Sequence, residues 1–246
     1  MPRAAGLVLV ALLLAACSDV PPAPTRPPPT AFERQLAGVG ADVTLPRPGR
    51  AIVVNVPSFE LIAVDDGRPV LRSRVIVGTP RNPTPILSTY TRAVTFRPTW
   101  RPTPAMVASG EYQDRLWPAG PDNPLGLAAI RLAPGLLVYL HDTNTRRLFE
   151  RDYRALSHGC IRVQKWDELI AWLLGRDRAE VLALANGSRT FDMAAPRVPV
   201  HILYSTRFPA EDGTIFIHPD IYGRDTVTRG GALAGSGCPA ATDTGG

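Results

Sequence analysis

The segment of this chain that could do chemistry is Ser157-His158-Gly159-Cys160-Ile161-Arg162, which follows a further histidine, His141. Cysteine acyl transfer needs a thiol that attacks a carbonyl, an imidazole that takes and returns the proton, and backbone N–H groups that bind the oxyanion. The pattern therefore predicts Cys160 as the nucleophile and His141 as the general base. We expect Asp142 or a nearby carbonyl to orient His141.

The turn before Cys160 is expected to shape the oxyanion site. Gly159 allows the backbone to turn sharply and lets a substrate carbonyl come close. The N–H groups of His158, Gly159 and Cys160 are the candidate oxyanion donors. We expect this turn to lead into a helix, whose positive end would lower the pKa of the Cys160 thiol.

Ordinary interpretations compete with this one. A lone cysteine is commonly a small buried hydrophobe, and a lone histidine is commonly a satisfied polar group. His141, His158 and Cys160 could also bind zinc with an open position, although four ligands are not evident. The order of the residues along the chain favours nucleophilic catalysis without a cofactor or a metal.

The elements that must position these residues are mainly strands. A β pattern begins at Ala51, and the apolar run Leu136 to Leu140 is a strand that delivers His141 at its end. Apolar residues spaced 0, 3, 4, 7 and 8 from Trp166 predict an amphipathic helix after the cysteine, and a shorter helix is expected around Val181. The fold class is therefore mainly β (α+β). Residues 98–135, which precede the strand that delivers His141, carry seven prolines. This composition predicts a lid or binding loop, or an ordered surface loop.

The two ends of the chain differ in composition from this domain. Arg3 and the apolar run Ala4 to Leu14 are typical of a targeting segment that is too short to span a bilayer. Leu14-Ala15-Ala16-Cys17 resembles the lipobox of bacterial lipoproteins, the alternative being an ordinary cleaved signal. This predicts a signal peptide over 1–16, lipidation of Cys17 and a proline-rich tether over 17–50. A disordered glycine-rich tail is expected over 226–246.

Composition limits the partners. The chain of 246 residues has a net charge of +5, and its basic residues are scattered without interleaved aromatic residues, which argues against nucleic-acid binding. The hydrophobic share of 45% is enough for one globular core.

Together with His141-Asp142-Thr143, the stretch from Arg154 to Val163 resembles the signature of the YkuD-type L,D-transpeptidase catalytic domain. Further similarity lies in four segments. These are Val77-Gly78, Thr84-Pro85, Asn123-Pro124-Leu125-Gly126 and, as in the YcbB-like branch, the stretch from Asp220 to Asp225. The resemblance covers residues 51–225.

The resemblance implies a β-sandwich and a peptidoglycan substrate. Cys160 would attack the bond between a diaminoacid and the terminal D-alanine of a tetrapeptide stem, and an amine of a neighbouring stem would resolve the acyl-enzyme. Covalent inhibition by carbapenems is also implied. The implied site residues are catalytic Cys160, His141 and His158; site-shaping Gly159, Ser157 and Arg162; and substrate-binding Tyr139 and Arg154.

Several alternatives stay open at this point. Water as the acceptor would make the protein an L,D-carboxypeptidase or hydrolase, and a protein amine would make it an enzyme that attaches proteins to peptidoglycan. A wall-binding lipoprotein with a degenerate site is a further alternative. The lipobox predicts a lipid-anchored periplasmic protein, and Ser18, which carries no inner-membrane retention signal, favours the outer membrane of a Gram-negative bacterium. Cys238 is expected not to pair with Cys160, since that disulfide would block the nucleophile.

Overall fold

The computed structural model describes residues 27–225. The predictions made for the signal peptide, Cys17, Cys238 and the glycine-rich tail lie outside these residues. Within the described part, no helix combines the length and apolar character that crossing a membrane requires.

Twelve strands are described, so the predicted mainly β class is confirmed. In chain order they are β1 (Arg50–Asn55), β2 (Glu60–Asp65), β3 (Arg68–Gly78), β4 (Leu87–Phe96), β5 (Ala128–Leu132), β6 (Tyr139–His141), β7 (Ala155–Ser157), β8 (Ile161–Val163), β9 (Phe191–Ala194), β10 (Pro199–Leu203), β11 (Arg207–Pro209) and β12 (Ile215–Ile217).

Eight of these strands form a hydrogen-bonded ring. Their order is β10-β1-β2-β3-β8-β6-β5-β4, and β10 also pairs with β4, which closes the ring. Strand β9 pairs with the second half of β4, β7 pairs with β3, and β11 and β12 form a separate hairpin. A closed ring leaves few free strand edges, and it fixes which residues share each face.

The alternation of β1 shows how the sheet is buried on both faces. Ile52 and Val54 belong to the principal apolar cluster, which also receives residues from every strand of the ring. Ala51 and Val53 belong to a second cluster on the opposite face, covered by the helix α1 (Ala31–Gly38) and by Phe208. Residues 31–50, which the sequence had assigned to the tether, therefore include part of the folded domain.

Five helical segments accompany the sheet in the described part of the chain. Helix α1 begins with a capping box between Thr30 and Glu33, which satisfies two backbone donors reciprocally. The others are α2 (Pro104–Ala108), a 3-10 helix (Arg146–Glu150), α3 (Trp166–Leu174) and α4 (Arg178–Ala185). Helix α3 buries four of the five residues that its spacing predicted, Trp166, Leu169, Ile170 and Leu173, and leaves Leu174 half-buried.

Helix α3 follows Cys160, as expected, but not directly. Strand β8 lies between them, and α3 begins only at Trp166. Because the field of a helix end acts mainly within its first turn, the predicted stabilisation of a Cys160 thiolate by this helix is wrong.

Candidate active site

Cys160 lies in a cavity of about 650 Å³ on the sheet face opposite the principal core. The floor of the cavity comes from the strands of the ring, and its roof comes from the segment 98–127, which includes helix α2. The roof residues that line it include Trp100, Arg101, Thr103 and Met106. The proline-rich segment therefore covers the predicted nucleophile, which is the position expected of a lid or binding loop.

The pairing of β6 with β8 brings the two predicted catalytic residues together. These strands are parallel, with Leu140 opposite Ile161 and His141 opposite Arg162. Leu140 and Ile161 point into the core, so their neighbours along each strand, His141 and Arg162, share the other face. Cys160 precedes β8 by one residue and lies two residues before Arg162, which places it on that face, diagonal to His141.

His141 is buried, and its tautomer is fixed by one contact. Its Nδ1 lies 2.5 Å from the backbone carbonyl oxygen of Asp142. Because a carbonyl only accepts hydrogen bonds, Nδ1 must carry the proton, which leaves Nε2 as the basic nitrogen. Burial and the nearby Arg162 charge lower the pKa of His141 to about 3, against the opposing effect of the Asp142 and Leu125 carbonyls. The imidazole is therefore neutral at pH 7.

The carboxylate of Asp142 has a different task from its carbonyl. It accepts a hydrogen bond from the backbone N–H of Leu127 at 3.0 Å and another from Arg146 at 2.6 Å. The expectation that Asp142 or a carbonyl orients His141 is thus met by the Asp142 carbonyl, while the side chain fastens the end of the roof segment to the strand.

Cys160 is partly exposed to the cavity and carries a neutral thiol. Its Sγ donates to the carbonyl oxygen of Leu137 at 3.4 Å. Burial raises the pKa of the Cys160 thiol, although the N–H of Tyr139 and the charge of Arg162 act in the opposite direction. The sequence had predicted a lowered pKa; the correction follows because desolvation disfavours the thiolate and no helix end is close enough to offset it.

The turn from Ser157 to Cys160 is held by the Ser157 side chain. Its hydroxyl donates to the Cys160 carbonyl oxygen at 2.6 Å and accepts from the Gly159 N–H at 3.1 Å. Gly159 has a φ of +107°, a backbone conformation that residues other than glycine rarely adopt. Because its N–H is already bonded to Ser157, Gly159 is removed from the predicted set of oxyanion donors, and His158 and Cys160 remain as candidates.

Sequence reasoning did not identify the hydrogen bonds from other segments that support this turn. The Gly78 N–H donates to Thr84 Oγ1 at 2.8 Å, and Thr84 Oγ1 donates to the Gly159 carbonyl oxygen at 2.9 Å. Tyr222 Oη donates to the Gly78 carbonyl oxygen and accepts from the Thr84 N–H. The resemblance had marked the segments around Gly78, Thr84 and Tyr222, but only the structure shows that they form one connected support.

The roof is attached at its base by Asn123. Its side-chain amide donates to the carbonyl oxygens of Pro98 and Pro118, both at 2.9 Å, and its Oδ1 accepts from the Leu125 N–H. At the other side of the roof, Glu111 Oε2 lies 2.8 Å from Nε2 of His158. His158 therefore faces the roof as well as the cavity.

Of the two predicted substrate-binding residues, one lines the cavity and the other does not. Tyr139 lines the cavity beside Cys160. Arg154 does not line this cavity: its guanidinium donates to the carbonyl oxygens of Val75, at 3.3 Å, and Arg151, at 2.7 Å, and it borders a separate cavity. The prediction of a substrate contact for Arg154 is corrected, because these backbone bonds give its charge a structural task.

Metal binding was the alternative use of the same residues. Among residues 27–225, no group of three or more His, Cys, Asp or Glu side chains is arranged to hold a metal ion. His141, His158 and Cys160 are therefore not grouped as the zinc alternative would require.

Comparison with known proteins agrees with the motif. The chain is 32% identical over 217 residues to a putative L,D-transpeptidase of Haemophilus influenzae, covering 71% of this chain and 44% of that protein. It is 34% identical over 157 residues to the probable L,D-transpeptidase ErfK/SrfK of Escherichia coli, covering 53% and 48%. The chain thus spans less than half the length of these two relatives.

Solved structures of low identity also match. An L,D-transpeptidase from Mycobacterium smegmatis has 16% identity and a TM-score of 0.40, with 63% of this chain and 58% of that chain covered. The structure of the LD transpeptidase LdtMt1 in complex with imipenem has 19% identity and a TM-score of 0.40, with 63% and 60% covered. Residues 49–202 match the YkuD family model, that of the L,D-transpeptidase catalytic domain, and the chain belongs to this family.

Proposed function

We propose that this protein is a peptidoglycan L,D-transpeptidase that uses Cys160 for acyl transfer from tetrapeptide stems. The observation that carries the proposal is the placement of Cys160 and His141 on one sheet face, with Nδ1 of His141 bonded to a carbonyl and Nε2 left as the base. Family membership supports the reaction class. The cavity supplies room for a peptide stem.

The first half of the reaction forms a thioester. Because both groups are neutral at rest, proton transfer from the Cys160 thiol to His141 accompanies attack of sulfur on the diaminoacid carbonyl carbon. The N–H groups of His158 and Cys160 are the proposed donors to the oxyanion. When the tetrahedral intermediate collapses, the carbon–nitrogen bond breaks, the proton on His141 moves to the leaving amine, and D-alanine departs.

The second half transfers the acyl group. An amine of a neighbouring stem attacks the thioester carbonyl, gives its proton to His141, and forms an amide as the carbon–sulfur bond breaks. The thiolate then recovers the proton from the imidazole. Arg162 assists the nucleophile, because its charge favours the thiolate of Cys160, whereas the same charge disfavours the imidazolium form of His141.

Carbapenems are proposed to acylate the same thiol. A solved relative is described in complex with imipenem, which supports the proposal for Cys160 here. Imipenem acylation uses the nucleophile, the base and the oxyanion donors but no diaminoacid, so it reports on the catalytic groups separately from stem recognition.

We also propose that the mature protein is a periplasmic lipoprotein in the outer membrane, attached through Cys17. The support for the anchor is the Leu14-Ala15-Ala16-Cys17 sequence, and the support for the outer membrane is Ser18, which carries no inner-membrane retention signal. Expression of the full chain with a labelled fatty acid should label the wild type and not Cys17→Ser. Equal recovery of both proteins in the soluble periplasmic fraction would contradict the anchor.

The central experiment follows the mass of the protein and its products. Incubation with a tetrapeptide muropeptide should give an acyl-enzyme whose adduct lacks D-alanine, followed by a crosslinked dimer. Cys160→Ala should abolish both the acyl-enzyme and the dimer. Cys160→Ser removes the thiol but nearly keeps the size of the side chain, so loss of both in this variant too would show that the thiol is required. Tripeptide as the sole product would indicate the carboxypeptidase alternative, and absence of any adduct would refute the proposal. Adding a protein with free amines tests the attachment alternative in the same assay.

A further inference from the structure

Two charged side chains in the active-site cavity have no ion-pair partner. Two of the other polar residues that line the cavity have an acidic neighbour, since Arg101 lies 3.2 Å from Asp114 and His158 Nε2 lies 2.8 Å from Glu111. Arg131 and Asp192 line the same cavity and, within the residues that the structure describes, neither has an opposite charge within 4.0 Å. A half-buried cation facing a cavity is stabilised when an anion enters.

The hydroxyl of Thr95 contacts both of these charged groups. Thr95 Oγ1 donates to Asp192 Oδ1 at 2.6 Å and accepts a weak hydrogen bond from Arg131 Nη1 at 3.5 Å. The guanidinium nitrogen and the carboxylate oxygen are therefore between 4 Å and about 6 Å apart. This spacing suits a group that carries an ammonium and a carboxylate on the same carbon atom, with its carboxylate on Arg131 and its ammonium on Asp192.

The position of the pair relative to Cys160 is fixed by strand register. Arg131 is opposite Tyr139 in the pairing of β5 with β6, and Tyr139 is next to Cys160 across β6 and β8. Two strand spacings separate Arg131 from Cys160, which is about 10 Å between backbones. The extended side chain of a diaminoacid whose carbonyl is at Cys160 covers a distance of this order. The guanidinium also lies 5.4 Å from the centre of the Tyr139 ring, which keeps it over the cavity floor.

We propose that Arg131 and Asp192 form a subsite for an α-amino-acid zwitterion at the end of the donor side chain. The inference rests on the proposed function, since the donor is the stem that acylates Cys160. It specifies a diaminodicarboxylic acid, whose side chain ends in both an ammonium and a carboxylate. A lysine side chain ends in an ammonium alone and would leave Arg131 unpaired in the closed complex, which disfavours that stem.

The test compares two donors with three variants of the full chain. The donors are tetrapeptides with a diaminodicarboxylic acid or with lysine at the third position, and the rate of acyl-enzyme formation is followed by intact mass. We expect the wild type to prefer the diaminodicarboxylic donor at least tenfold. Arg131→Gln should lose that preference by slowing only that donor. Asp192→Asn should slow both donors, because each presents an ammonium. Arg92→Gln, an exposed arginine on β4 outside the cavity, is the matched control and should behave as the wild type.

Imipenem acylation distinguishes failure of the subsite assignment from failure of the proposed function. If the variants react normally with imipenem and Arg131→Gln alone loses the donor preference, the subsite is supported. If Arg131→Gln slows both stems equally, or neither, the subsite assignment is overturned while the proposed function stands. If imipenem acylates the wild type but neither stem does, the proposed function fails and the subsite fails with it. A variant that also loses imipenem acylation would show that the residue acts on the catalytic groups, which contradicts a recognition role.

Discussion

The floor and the roof of the cavity are built by different means. The floor turn, Ser157 to Cys160, is held by hydrogen bonds from its own serine and from Thr84, a buried residue in another loop. The roof, residues 98–127, is tied at its base by the buried Asn123, but its contacts with the turn are the half-exposed pair of Glu111 and His158 and the edge-to-face approach of the Tyr112 and His158 rings, whose centroids are 6.3 Å apart. The catalytic turn is thus positioned by buried hydrogen bonds, whereas the roof meets that turn through exposed contacts that contribute little free energy.

The largest effect is expected from Gly78→Ala, because it acts on the support of the floor. An added Cβ would lie 2.1 Å from the Asn82 carbonyl oxygen and 2.6 Å from the Thr84 nitrogen, both of them backbone atoms. We expect the free energy of unfolding to fall by about 3 kcal/mol or more, and imipenem acylation to be lost. Chemical denaturation measures the first effect and intact mass measures the second.

Gly38→Ala is the matched control, since a Cβ there meets nothing within 4 Å. It should change stability by less than about 1 kcal/mol. If Gly78→Ala were as stable and reactive as this control, the floor would be less rigidly determined than the contacts indicate.

The second prediction concerns pH and the buried base of the floor. His141 has a folded-state pKa of about 3, below its ordinary value of 6.5. The unfolded chain therefore binds a proton that the folded chain does not, and stability falls as pH decreases from about 6.5 toward 3. The contribution is about 1.4 kcal/mol per pH unit, or just under 3 kcal/mol at pH 4.5.

Denaturation at pH 7.5 and pH 4.5 measures this dependence. His141→Asn retains a donor for the Asp142 carbonyl but cannot titrate, so its stability should decrease less on acidification than that of the wild type. An identical decrease in both proteins would show that His141 is not the acid-sensitive group. The same low pKa predicts that imipenem acylation persists below pH 6, where an ordinary histidine would be protonated.

Sequence reasoning was strongest where a single local pattern carried the information. The Ser157-to-Cys160 motif, the position of His141 after an apolar strand and the helix from Trp166 were all visible as spacing. Strand β5 (Ala128–Leu132) was missed, because it lies within a stretch that prolines made irregular. Strand β8 was missed because three residues give no clear periodicity.

The remaining errors have a common physical cause, which is that burial is set by the whole fold. A raised pKa of the Cys160 thiol follows from neighbours that pack over it, and a motif does not reveal them. Arg154 reads as a charge free to bind substrate, yet its guanidinium is used by carbonyl oxygens far away in sequence, such as that of Val75. The link from Tyr222 to Gly78 spans 144 residues, so no window of sequence contains it.

A third prediction removes one hydrogen-bonding group from the floor. Thr84→Val keeps the shape but leaves the buried Gly78 N–H without its acceptor and the Gly159 carbonyl without its donor. We expect a loss of about 2 kcal/mol in the free energy of unfolding and slower acylation by both imipenem and stem peptides. Thr84→Ser retains the hydroxyl and should restore most of the rate. A rate for Thr84→Val equal to that of Thr84→Ser would mean that the hydroxyl does not position the turn.

The smallest effect is expected at the contact between roof and turn. Glu111→Gln removes the charge from a pair in which the Glu111 and His158 side chains are 49% and 24% exposed, and exposed pairs contribute less than about 1 kcal/mol. If the roof only covers the substrate, KM for the stem should rise up to about threefold, kcat should stay unchanged, and high salt should reduce the difference between variant and wild type. Asp114→Asn breaks the other exposed roof pair, with Arg101, and controls for a general loosening of the segment. A tenfold fall in kcat for Glu111→Gln alone would place the roof among the parts that position His158 for chemistry, and the distinction between a fixed floor and a covering roof would not hold.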